Sequence, residues 1–192
     1  MKSDSAFATV LLVILACSGV LNIVLAARVV SLHYQFHPNA KLATEGTVVP
    51  DLVGRDPNGT RSTIRFRDSE KPTVLLVTNP GCQWCERNMP NWQELVREAG
   101  QRYRFVVVSL ADSASNLPQY LSDKQLKVAG LSALPREQAF DLIRAGGTPQ
   151  TIVVGRDATV LKYWQGAYSG STKADVERYF NVTLPVEAAP AP

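Results

Sequence analysis

From Ser5 to Ala27 the chain reads SAFATVLLVILACSGVLNIVLAA, without one charged position. Beyond it, short apolar runs alternate with polar turns. A helix needs about 20 apolar residues to cross a bilayer, and this run supplies them. It is longer than the apolar core of a cleavable signal peptide, about 7–15 residues. The reading is an uncleaved transmembrane anchor over residues 6–30 behind a short tail at 1–5. Cleavage near Ala26 or Ala27 and lipidation at Cys17 are the alternatives. Lys2 precedes the run while Arg28 and Lys41 follow it, so charge bias does not orient it. A short tail before a single span usually leaves the folded domain outside the cytoplasm. The expected placement is the cell membrane, single-pass, with residues 6–30 in lipid and the domain on the periplasmic or extracytoplasmic side.

The remaining chain divides into a juxtamembrane linker at 31–45, a domain at 46–183 and a Pro/Ala tail at 184–192. Asp56-Pro-Asn-Gly59 is a turn signal between two β-rich stretches and predicts a hairpin. KPTVLLVTNP is a continuous apolar run of the kind buried on both faces of a sheet. From Gln83 to Ala99 the period becomes helical, with Trp84, Asn88, Trp92 and Leu95 on one face. Pro90 falls inside that helix and predicts a kink. YRFVVVSLAD is a second buried strand. SASNLPQYLSDKQ and PREQAFDLIRAGG read as helices, the latter with a glycine C-cap. PQTIVVGRDATVLKYWQG predicts two strands turning at Gly155 to Ala158, and STKADVERYF a closing helix with a serine or threonine cap. Buried strands alternating with helices describe a compact α/β domain.

Composition narrows the function. Hydrophobic residues make up 45% and charged ones 19%, as in a globular chain. The net charge of +3 is spread over mixed acids and bases, which argues against a nucleic-acid partner. Three cysteines are too few for a disulfide-stapled scaffold, so the pair Cys82 and Cys85 in NPGCQWCERNMP needs a local cause.

Cysteines three positions apart at a helix start can close a disulfide across one turn. The first would sit among unpaired backbone N–H groups at the positive end of the helix, which favours thiolate over thiol. Cys82 is therefore the candidate nucleophile. Cys85, one turn deeper, can attack the resulting mixed disulfide and release the product thiol. Gln83 and Trp84 form the dipeptide between them. A structural zinc site would want four ligands, and the only histidines, His33 and His37, precede the domain. No metal or cofactor is expected. Simple packing of two small residues is the remaining alternative.

PTVLLVTNPGCQWCERNMPNWQEL resembles the active-site region of the thioredoxin superfamily. Pro90 stands where these proteins commonly place a proline in the active-site helix. GGTPQTIVV resembles their later loop, which implies that Pro149 is cis, faces Cys82, and presents the Thr148 backbone to a substrate peptide. The likeness implies a thioredoxin fold, a central mixed sheet flanked by helices. The hairpin VPDLVGRDPNGTRSTI resembles the extra strands of the membrane-anchored TlpA/ResA-like thiol-disulfide oxidoreductases, and the resemblance runs from about Thr47 to Phe180. Gly81 replaces an aromatic residue common in thioredoxins. Positions that in relatives carry a buried carboxylate beneath the second cysteine correspond to Leu76 and Asn88, so Asn88 marks the proton-transfer position without an acid.

The resemblance implies an enzyme that cycles between dithiol and disulfide with protein thiol or disulfide substrates. It further implies reduction of envelope proteins, for example during cytochrome c maturation, with electrons from a membrane thiol donor. A peroxiredoxin-like peroxidase would place a threonine and a proline where Asn79 and Leu75 stand. A copper-delivery protein on this scaffold favours CxxxC with a domain histidine. A non-catalytic adaptor of the same fold is distinguished only by activity. The tripeptides at Asn58 and Asn181 match glycosylation acceptors, a pattern common by chance.

Overall fold

The structure is a computed structural model describing residues 12, 14–28, 44–79, 81–111, 117–134 and 147–185. The chain divides into two units, 1–40 and 41–192. In the first, residues 14–28 form helix α1, whose apolar side chains are exposed. Among the described residues no helix is long and apolar enough to cross a membrane. Of the expected span over 6–30, residues 12 and 14–28 are described, as helix; its other residues, and His33 and His37, lie outside the described residues.

The second unit opens with β1 (Leu52–Arg55) and β2 (Arg61–Ile64), an antiparallel hairpin. Its turn is set by Asp56, whose Oδ1 accepts from the N–H groups of Asn58 and Thr60 at 2.9 Å each. Then follow β3 (Thr73–Thr78), α2 (Gln83–Ala99), β4 (Arg104–Ser109), α3 (Leu117–Asp123), β5 (Ala129–Leu131), β6 (Gln150–Val154), β7 (Val160–Gln165) and α4 (Gly170–Phe180). The five later strands form one sheet in the order β5-β4-β3-β6-β7. β3, β4 and β5 are parallel, whereas β6 runs antiparallel to β3 and to β7.

Every side chain of β3 is buried, which is why its sequence is continuously apolar rather than alternating. Val74 and Leu76 pack in one layer with Trp92 and Leu95 of α2 and Val176 and Phe180 of α4. Leu75 and Val77 pack in the opposite layer with Leu52 and Ile64 of the hairpin. Each fully buried Val or Leu is worth roughly 1.5–3 kcal/mol. The loop bearing the cysteines is therefore anchored to a strand buried along its whole length.

The N-terminal segment covers part of both sheet edges. Arg55 N–H donates to the Ser132 carbonyl at 2.8 Å, and Ser132 N–H returns to the Arg55 carbonyl at 2.9 Å. A Cβ at Gly54 would lie 2.5 Å from the Ser132 oxygen, so only glycine allows this approach. At the far edge, Gly46 N–H donates to the Val160 carbonyl, and Val160 N–H to the Thr47 carbonyl, both at 2.8 Å. Strand edges left bare invite pairing with other chains, and these contacts blunt both.

Several expectations are corrected. β5 leaves no mark in the sequence, since AGL is too short to show a period. α4 begins at Gly170 with Ser169 at the cap, and no side-chain capping bond forms. The first-turn N–H groups of Thr172 and Lys173 bond instead to the Ser169 carbonyl, at 3.1 and 3.3 Å. α2 runs from Gln83 to Ala99 with Pro90 inside it, as expected. The helix expected in PREQAFDLIRAGG lies outside the described residues, as does the start of SASNLPQYLSDKQ.

Candidate active site

The chain leaves β3 at Thr78 and enters α2 through Gly81 and Cys82. Gly81 has φ +73°, a left-handed conformation that disfavours any side chain. A Cβ there would meet nothing within 4 Å, so backbone conformation and not space calls for glycine. This explains why an aromatic residue is absent before the first cysteine. Cys82 N–H closes the turn by donating to the Asn79 carbonyl at 3.1 Å.

Cys82 is the N-cap of α2, with φ −72° and ψ 99°, and its Sγ accepts from the Cys85 N–H at 3.1 Å. The Cys82 carbonyl accepts from the N–H groups of Cys85 and Glu86 at 3.0 and 3.1 Å. The two cysteines are joined in a disulfide, their Cα atoms 5.2 Å apart. Cys82 is partly exposed, whereas Cys85 is 1% exposed. One sulfur is thus reachable from solvent and the other is shielded behind it.

The Thr148–Pro149 peptide bond is cis, and the Thr148 carbonyl oxygen lies 3.5 Å from Cys82 Sγ. The loop is held from both sides. Gly166 N–H donates to the Pro149 carbonyl, and Gln150 Nε2 to the Gly147 carbonyl, each at 2.8 Å. Gln150, fully buried, was not singled out in the sequence, yet it ties the cis-proline loop to the sheet.

In the reduced protein two neighbours act on Cys82 in opposite senses. The Cys85 N–H stabilises a thiolate, whereas the Thr148 carbonyl accepts only from a thiol. A hydrogen bond to a charged group is worth about 1.5–3 kcal/mol, roughly twice a neutral one, and a thiol is a weak donor. The N–H is the stronger of the two partners.

Asn88 stands one turn after Cys85 and is fully buried. Its Oδ1 accepts from the Tyr168 N–H at 2.9 Å and from Asn91 Nδ2 at 3.1 Å, joining α2 to the loop before α4. Its own Nδ2 is buried without a partner among the described residues. Leu76 pairs with Thr151 across β3 and β6 and is likewise fully buried. Thr151 Oγ1 is 2.5 Å from the Tyr168 hydroxyl and accepts from Trp92 Nε1 at 3.2 Å. Burial pushes the Tyr168 phenol well above its usual range, outweighing its bonds to Thr151 and Trp92. It remains neutral and cannot serve as a base. The nearest acid in sequence, Glu86, is exposed and bound to Lys124. Neither Leu76 nor Asn88 supplies a carboxylate.

Gln83 is exposed, while Trp84 is partly exposed and carries the Arg87 guanidinium over its ring, 4.7 Å from the centroid. Cys82, Cys85, Thr148 and Pro149 are thus brought together, and Asn88 lies beneath them on the helix. Among the described residues no group of three or more His, Cys, Asp or Glu side chains could hold a metal ion.

No family model matches the chain, and no curated protein matches it. Solved structures do. The thioredoxin domain of a thiol-disulfide oxidoreductase from Bacteroides vulgatus matches with a TM-score of 0.55 at 18% identity, over 72% of this chain and 99% of that one. A thio-disulfide isomerase from Thermus thermophilus matches at 0.53 and 23% identity, over 73% and 99%. A peroxidoxin from Mycobacterium tuberculosis matches at 0.56 and 20%, over 69% and 92%. The fold is the thioredoxin-like α/β fold, a mixed sheet flanked by helices. At the positions where the peroxidase reading expects a threonine and a proline, Asn79 closes the turn into Cys82 through its carbonyl and Leu75 is a core residue of β3.

Proposed function

We propose that this chain is a thiol-disulfide oxidoreductase that exchanges its Cys82–Cys85 pair with protein substrates. The observation that carries this reading is the disulfide itself, joining a partly exposed N-cap sulfur to a buried one beside a cis Thr148–Pro149 bond.

In the reducing direction, the Cys82 thiolate attacks one sulfur of a substrate disulfide. The substrate S–S bond breaks, and one substrate sulfur leaves as a thiolate and takes a proton. The substrate remains joined to Cys82 Sγ. Cys85, deprotonated, then attacks Cys82 Sγ, forms the Cys82–Cys85 bond and expels the second substrate sulfur. The substrate gains two electrons, which the protein loses, and a membrane thiol donor would restore the dithiol. Thr148 and Pro149 would hold the substrate chain beside Cys82.

The reductant direction, action on envelope proteins such as apo-cytochromes, and a single-pass anchor over 6–30 with the domain outside the cytoplasm complete the proposal. They are supported by the uncharged run from Ser5 to Ala27 and by the N-terminal hairpin that resembles the anchored envelope group.

The test is substrate trapping. Cys85→Ser should accumulate mixed disulfides with envelope proteins, separable on non-reducing gels, and Cys82→Ser should accumulate none. Equal trapping by both variants would reject the assignment of roles.

A further inference from the structure

Trp84 and Arg87 are three residues apart on α2, the spacing at which helical side chains meet. The guanidinium lies over the indole at 4.7 Å from the ring centroid, and both side chains are partly exposed. Apart from that ring, Arg87 has no hydrogen-bond or ion-pair partner among the described residues. Two other cations, one just after α3 and one near the end of α2, are committed. Lys124 is bound to Glu86, and Arg97 to Glu94 and Glu98. A guanidinium stacked on an aromatic face keeps its in-plane N–H donors free and pre-oriented, the geometry that matches a carboxylate.

Position makes this more than a surface cation. Trp84 is in the first turn of α2, two residues after Cys82, so the stacked pair stands at the same end of the helix as the reactive sulfur. We propose that Arg87, braced by Trp84, is a specificity-determining residue that selects substrate segments carrying a carboxylate near the reactive cysteine. This rests on the exchange reading above and names the chemistry of the peptide it prefers. An exposed cation at the rim of a binding surface acts mainly on the association rate and on its salt dependence. A basic segment is disfavoured by the same charge.

The test uses two peptides, each with one cysteine capped by 2-mercaptoethanol as a mixed disulfide. They are identical except for Glu or Lys at the two flanking positions. Reduced protein converts each to peptide thiol and free 2-mercaptoethanol while its dithiol becomes the disulfide, and quenched alkylation reads the rate. At about 20 mM salt the Glu peptide should react about three- to tenfold faster, and the gap should close near 0.5 M salt. Arg87→Gln should abolish the gap at low salt, Arg87→Glu should invert it, and Arg87→Lys should keep part of it. No preference in the wild type, or an undiminished one in Arg87→Gln, would overturn the proposal. Reaction with neither peptide would overturn the exchange reading itself and this proposal with it.

Discussion

The Cys85 N–H points at Cys82 Sγ across 3.1 Å, so the helix turn that buries the second sulfur also solvates the first. Two identical side chains acquire different chemistry from one turn of backbone. Cys82 is left partly exposed, where a partner can reach it, and Cys85 is buried behind it.

The first prediction follows from that pairing. Cys82 Sγ is partly exposed and faces the Cys85 N–H, whereas Cys85 is buried. In the reduced protein at pH 6.5, iodoacetamide should label Cys82 about tenfold or more faster than Cys85. Peptide mapping of the labelled sites checks this, and equal rates would contradict the roles.

Gly81 gives a backbone prediction. Because φ is +73° and the site is spacious, Gly81→Ala should cost about 1 kcal/mol in urea unfolding of the oxidised protein. Gly81→Trp should cost at least as much, since it requires the same backbone conformation. A neutral result would mean that the turn adjusts without loss.

Much of this arrangement is legible in the sequence, and the parts that are not share a cause. β3, α2, the two hairpins and the cis-proline loop leave local marks: an unbroken apolar run, a period near four, Asp-Pro-Asn-Gly, and Thr-Pro before a strand. Asn88 reads as one more position on the apolar face of α2, yet its oxygen holds the Tyr168 N–H, 80 residues away. The Thr151–Tyr168–Trp92 cluster and the Gln150 tie are likewise contacts between distant segments, invisible to any local period. The cap of α4 is not legible because Ser169, Ser171 and Thr172 are equally suited by type, and only the backbone path chooses Ser169.

Asn88→Asp tests the missing acid. Aspartate would keep the bonds from Tyr168 and Asn91, while its second oxygen would replace a buried Nδ2 that already lacks a partner. Full burial without a cation among the bonded neighbours should outweigh those two bonds and raise its pKa towards neutrality. Stopped-flow decay of the mixed disulfide should accelerate near pH 7, by up to about tenfold or more if the new carboxylate takes the Cys85 proton. Stability should fall, by about 1–3 kcal/mol in urea unfolding. An unchanged rate at every pH would show that another base already serves Cys85.

Asp175 carries a pH signature for the α4 docking. Its Oδ2 accepts from Trp164 Nε1 at 2.8 Å, and this bond, with Lys162 and Arg178 nearby, holds its carboxyl below the usual range. A depressed folded pKa means stability present above the unfolded value, near 3.9, and lost as pH falls through the folded one. The side chain is 36% exposed, so solvent screening limits the contribution to a few tenths to about 1 kcal/mol. Asp175→Asn should be less stable than wild type by that amount at pH 7. The gap should close once pH drops below the folded pKa, and a gap independent of pH would assign the loss to packing instead.

The dithiol/disulfide cycle itself is tested most directly by equilibrating residues 44–185 with glutathione buffers of graded ratio and counting alkylated cysteines by mass. The domain should show one reversible two-electron transition between about −120 and about −270 mV, the range of known thioredoxin-fold oxidoreductases. Cys82→Ser and Cys85→Ser should each remove it. A pair that stays oxidised or stays reduced across the whole series, or a transition that survives either substitution, would contradict a redox-active Cys82–Cys85 centre.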